Sequence, residues 1–111
     1  MITITEDVIE QVAMRIVEEV SPLRIVLFGS WARGEMDRRS DLDLLVIEDE
    51  PFGPNRSRFE EVARIHEALY DLGVPLDILV YSSDEIEKWK STTNHIVRTV
   101  MREGRVLYER T

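Results

Sequence analysis

Apolar positions in this chain change their period several times, and each change marks an element. Val8, Val12, Ile16 and Val20 recur every fourth residue, with Ile9, Ala13 and Val17 beside them, so the spacing predicts an amphipathic helix over about 6–20. Thr5 suits its N-cap, Glu6 and Asp7 suit the positive end of its dipole, and Ser21-Pro22 ends it. The run RIVLF, Arg24 to Phe28, is short, apolar and β-rich and stops at Gly29, as a buried strand would. A second strand is expected over Asp41 to Glu48 (DLDLLVIE) and a third over Val74 to Tyr81 (VPLDILVY), where Pro75 is tolerable only at a strand's beginning or on an edge. Between them, Phe59, Val62, Ala63, Ile65, His66, Leu69 and Tyr70 fall near helical spacing in a long helix from Arg56 to Leu72, with Gly73 as its C′ residue. Ser82 and Glu85 have the spacing of a capping box that opens a helix through Trp89. Thr93 or Asn94 begins a last helix to about Glu103, closed by Gly104, and Val106 to Tyr108 forms a short terminal strand.

Alternating helices and strands define an α/β domain. The link from Phe28 to Asp41 has room for about one helical turn, too little for a parallel crossover, whereas the segment between the second and third strands is long enough. A small mixed sheet flanked by helices follows. The one linker-like stretch, DEPFGPN at Asp49 to Asn55, is short enough to be a loop inside a single domain spanning 1–111. Hydrophobic residues at 43% and charged residues at 32% are ordinary for a soluble globule. The absence of cysteine removes disulfide scaffolds, zinc ribbons and thiol catalysis, and it agrees with a cytoplasmic setting. No apolar run approaches a membrane span, and the acidic N-terminus lacks a signal peptide's basic segment. A net charge of −8 argues against direct binding of nucleic acid and favours basic partners or a locally neutralised anion site.

The chemistry concentrates in Gly29 to Val46, GSWARGEMDRRSDLDLLV. Gly29-Ser30 follows a strand and precedes a helical turn. It suits a tight turn capped by serine, and equally a turn whose N–H groups and hydroxyl hold phosphate oxygens. Asp41 and Asp43 are two apart on a strand, so their carboxylates share a face. Such a pair is either a solvated strand end or, because the two repel, the hard-oxygen ligand set of Mg²⁺ or Mn²⁺. Asp77 sits within the apolar LDILV, where a lone carboxylate needs a metal, an arginine partner or a place at the strand end. Arg38 and Arg39 either attract phosphates or offset Glu35 and Asp37. Trp31 suits packing against the first helix better than stacking on a base, Trp89 reads as an anchor between the last two helices, and His66 and His95 suit structural roles.

Taken together, GSxARG, a spacer, SDxDLxV and a later Asp in an apolar strand resemble the minimal nucleotidyltransferase family of the DNA polymerase β-like superfamily. The matching residues are Gly29, Ser30, Ala32, Arg33, Gly34, Ser40, Asp41, Asp43, Leu44, Val46 and Asp77, and the likeness extends to a tail of the form G-x-x-LYE from Gly104 to Glu109. The resemblance implies the polymerase β-like palm fold. It implies that Gly29 and Ser30 form the triphosphate-binding turn, that Asp41 and Asp43 hold two magnesium ions, and that Asp77 holds the ion that activates the acceptor hydroxyl. For Arg33 it leaves open a structural or a phosphate-facing role. All three acids of the pattern are present, so a catalytically dead relative is not expected.

Larger relatives in the superfamily carry an acceptor-binding domain that 111 residues cannot contain. The resemblance therefore implies a macromolecular acceptor, a HEPN-domain toxin with RNase activity, to whose tyrosine the chain transfers AMP from ATP as its antitoxin, in a hetero-oligomer with it. The alternative from another class is a non-catalytic acidic antitoxin that neutralises a ribonuclease by covering it.

Overall fold

A computed structural model describes residues 3–35, 41–93 and 95–111. The expectations for Arg38, Arg39, Ser40 and Asn94 lie outside the described residues. Helix α1 (Glu6–Val20) begins at Thr5, whose hydroxyl accepts from the Val8 N–H, and ends at Ser21 in the left-handed conformation. It leads into β1 (Arg24–Phe28), the single-turn α2 (Gly29–Arg33) and β2 (Leu42–Glu48). Next come α3 (Arg58–Leu69), a 3-10 turn over Tyr70–Leu72 and β3 (Leu76–Ser82). Helices α4 (Ser83–Trp89) and α5 (Ile96–Glu103) precede β4 (Arg105–Glu109).

The sheet order is β3-β2-β1-β4, and it is mixed. β1 pairs antiparallel with both β2 and β4, while β2 and β3 are parallel, joined by the crossover through α3. Helices cover both faces. Ile25, Leu27, Leu42, Leu44 and Val46 face one core with Ile9, Val12 and Ile16 of α1 and Ile65 and Leu69 of α3. Val26, Leu45 and Ile47 face a second core with Ile86 of α4 and Val97 and Val100 of α5. Burial on both faces explains why β2 reads as a nearly continuous apolar run rather than an alternation.

Several boundaries differ from expectation for local reasons. Helix α3 starts two residues later than expected because the Ser57 hydroxyl accepts from the Glu60 N–H and sets the N-cap there. Its last three expected residues tighten into the 3-10 turn before Gly73, which adopts φ 65° as the anticipated C′ glycine. Strand β3 begins at Leu76, directly after Pro75, whose carbonyl accepts from the Leu42 N–H. Helix α5 is capped by His95, whose Nδ1 accepts from the Val97 N–H. Not all residues on the expected helical period point inward: Phe59, in α3, is 82% exposed and Tyr70, its C-cap, 86%.

Candidate active site

At one end of the sheet, the C-terminal end of β1 lies beside the N-terminal ends of β2 and β3. Phe28 is opposite Asp43, and Asp43 is opposite Asp77. Antiparallel pairing of β1 with β2 and parallel pairing of β2 with β3 bring three distant segments to this end. Asp43 shares its sheet face with Leu45 and Ile47, two and four residues on, so it continues the face covered by α4 and α5. Asp41 comes immediately before β2 and is exposed, whereas Asp43 is half-buried. Asp77 is exposed, as the second residue of the edge strand β3. Of the three settings expected to tolerate a carboxylate within LDILV, the structure shows the strand end, where exposure makes an unpaired carboxylate tolerable.

Gly29 has φ 72°, a conformation glycine adopts at little cost. Its α-carbon lies against Asp43: a Cβ added there would stand 2.9 Å from Asp43 Cγ and nearer still to Oδ2. Backbone and carboxylate can approach this closely only without a side chain at position 29. The next residue, Ser30, is the second of the short turn α2, and its carbonyl accepts from the N–H groups of Gly34 and Glu35. Gly34, also at positive φ, ends that turn. Trp31 and Ala32 pack, partly buried, against the larger core. Arg33 points out of the turn, half-exposed, with its Nε 3.2 Å from Glu35 Oε2.

Charge is unbalanced at this edge. Burial pushes the Asp43 carboxyl above the usual carboxylate range, and the carboxylates of Asp77 and Asp41 push it further. Asp77 is near enough to share a hydrogen bond with it, and Arg33 opposes the shift only weakly. A divalent cation bound by hard oxygen ligands would relieve this repulsion, so the donor set suits Mg²⁺. As placed, no three acidic or histidine side chains among the described residues close into a ready metal cluster. Sequence reasoning gathered Asp41, Asp43 and Asp77 but missed the contact of Gly29 with Asp43, since nothing in the local pattern signals which side chain faces a glycine.

Comparison with known proteins identifies the family. The family model described as "Nucleotidyltransferase domain" matches residues 9–107. A protein of Methanocaldococcus jannaschii, named "Putative protein adenylyltransferase MJ0604", is 34% identical over 85 residues, covering 77% of this chain and 77% of that protein. Two solved structures share the fold at lower identity. A toxin–antitoxin structure with AMP-PNP superimposes with a TM-score of 0.59 and 21% identity, over 92% of this chain and 74% of that one. A tri-AMPylated Shewanella oneidensis HEPN toxin in complex with MNT antitoxin gives 0.55 and 18%, over 96% and 74%. The matched residues run from within α1 to within β4 and include all three carboxylates, and this chain belongs to the nucleotidyltransferase domain family.

Proposed function

We propose that this enzyme transfers AMP from ATP to a tyrosine hydroxyl of a HEPN-type toxin, with Mg²⁺ held by Asp41, Asp43 and Asp77, and that it thereby acts as an antitoxin. The observation that carries the reading is the in-register pair Asp43 and Asp77, with Asp41 beside it, set against the side-chain-free Gly29. The likeness to a protein named as an adenylyltransferase and to complexes described with AMP-PNP and an AMPylated toxin supports it.

In this reading the N–H groups that open α2 and the Ser30 hydroxyl hold the phosphates, and Arg33 swings from Glu35 to the anionic tail. Bound Mg²⁺ would neutralise phosphate charge and acidify the acceptor hydroxyl, which for a phenol otherwise titrates near pH ~10. The acceptor oxygen attacks the α-phosphorus. A new O–P bond forms, the bond from that phosphorus to the oxygen bridging to the β-phosphate breaks, and pyrophosphate leaves with the bonding pair. The acceptor's proton passes to a carboxylate at the site, with Asp77 the best placed, because its strand borders the open edge of the sheet.

Intact-mass spectrometry of a HEPN-type toxin, after incubation with this chain, ATP and Mg²⁺, tests the reading. Wild type should add one or more adenylyl groups. The double variant Asp41→Ala/Asp43→Ala should still bind the toxin, yet leave its mass and its RNase activity unchanged. Protection of cells by that variant at equal abundance would mean neutralisation by binding alone and would overturn the enzymatic account.

A further inference from the structure

Helix α3 packs its inner face on the sheet through Ile65 and Leu69 and leaves an unusual outer face. Phe59, Ala63, His66 and Tyr70 follow one another at intervals of four, three and four residues and are all exposed, so they form a single stripe about 16 Å long. Two large aromatics at 82% and 86% exposure contribute little to the core, and exposed apolar surface of this kind marks contact sites. The Tyr70 end opens onto a hollow of 370 Å³ lined also by Pro75 and Leu76, the residues just before Asp77.

The stripe's position relative to the reaction proposed above gives it a role. Phosphates held at Gly29 and Ser30 lie on the β1 side of the carboxylates, and in-line displacement puts the acceptor opposite the leaving pyrophosphate. The acceptor therefore arrives from the β3 side, where β3 is an edge strand of the sheet. Helix α3 flanks that edge, on the face opposite the carboxylates. A small molecule at the site could not reach it, whereas a protein straddling the end of the sheet touches both.

Charge selects the kind of protein. Glu60 and Glu67 border the stripe without an ion-pair partner among the described residues, because Arg64, between them in sequence, pairs instead with Glu19 and Glu61. A second copy of a chain carrying −8 would meet its own acidic border, which disfavours self-association through this face. A partner with an apolar patch rimmed by Lys and Arg complements it. Resting on the adenylyl-transfer reading, we infer that the Phe59–Tyr70 stripe of α3 is the docking surface for the acceptor protein, which binds by an apolar centre with a basic rim and delivers its hydroxyl over the β3 edge.

The test compares wild type, Phe59→Ser, Tyr70→Ser and their double variant. Met14→Ser, on the exposed side of α1, is the control. The probe is the HEPN-type toxin that wild type modifies in the mass-spectrometric test above, and the readouts are calorimetric affinity and steady-state adenylylation. Both aromatics are exposed, so folding should survive, as circular dichroism and the affinity for Mg·ATP will check. Each single variant should weaken binding roughly tenfold or more and raise KM for the protein with kcat little changed, while Met14→Ser behaves as wild type. Wild-type binding and transfer that persist in the double variant overturn the docking surface and leave the transfer reading standing. If wild type modifies no HEPN-type toxin, the transfer reading fails and the surface falls with it. A wild-type dimer in sedimentation that the double variant dissolves assigns the stripe to self-association and overturns the proposal.

Discussion

Gly29 and Asp43 occupy one space: the carboxylate of the second strand fills the position where a side chain on residue 29 would begin. Gly29→Ala must therefore displace Asp43 as well as adopt φ 72° with a Cβ. The backbone conformation alone should cost on the order of 1–3 kcal/mol. Thermal denaturation should show that loss, and transfer activity should fall further than the stability change explains, because the proposed transfer needs that carboxylate in place. A stable, fully active Gly29→Ala protein would detach the glycine from the site.

Asp43 titrates high because of burial and of its like-charged neighbours. A carboxyl whose folded pKa is raised favours the folded state below its unfolded pKa, and that contribution is lost as pH rises through the folded value. At neutral pH without metal, Asp43 in its folded setting therefore opposes folding. Asp43→Asn should raise the melting temperature of the metal-free protein while abolishing transfer. An unchanged or lower melting temperature would show that the carboxylates do not repel as their arrangement implies.

Magnesium should act on the same imbalance. Added Mg²⁺ should raise the melting temperature of wild type at neutral pH, and the increment should shrink in Asp43→Asn and in Asp77→Asn. Removing the ion with EDTA should reverse it. Equal increments in all three proteins would place the bound ion elsewhere.

A second buried carboxyl sits at the far end of β2. Glu48 is 4% exposed, paired with Arg56, and its Oε2 has no hydrogen-bond partner among the described residues. Arg56 also reaches Glu61 at 3.1 Å and Glu50 at 3.4 Å, so one cation serves three carboxylates. Burial, and then the neighbouring Glu61, push Glu48 up to about 8. The folded protein thus keeps a proton there that the unfolded chain releases in the ordinary carboxylate range. Stability should decline as pH rises through about 8, and Glu48→Gln should flatten that decline in chemical denaturation followed from pH 6 to about 9.

Gly104 meets the sheet closely after α5. A Cβ there would lie 2.6 Å from the Val100 carbonyl oxygen and nearer still to Val26 Cγ1. Its φ of −77° is open to any residue, so Gly104→Ala tests packing alone. Overpacking of about 1–3 kcal/mol is expected in urea titration, with little effect on nucleotide affinity.

The period of the apolar residues and the capping residues determined most elements without help. Thr5, the Ser82–Glu85 box and Gly73 end or begin helices through bonds to their own neighbours, so their effect is local and readable. The mixed sheet was legible too, because the length of each connection decides whether the strands it joins can run parallel. The three acids were legible as a set only through the order and spacing of the whole motif. Tertiary structure decided where they stand relative to one another and to solvent. Asp77 is exposed because β3 begins late and lies at an edge, which a run of apolar neighbours does not reveal. Phe59 and Tyr70 fit a helical period as well as Ile65 does, yet they point outward, because the direction of the sheet selects which side of α3 is buried. The contact between Gly29 and Asp43 and the shared cation of Glu48 and Glu61 depend on strand register and on side chains meeting in space, and sequence separation carries no record of either.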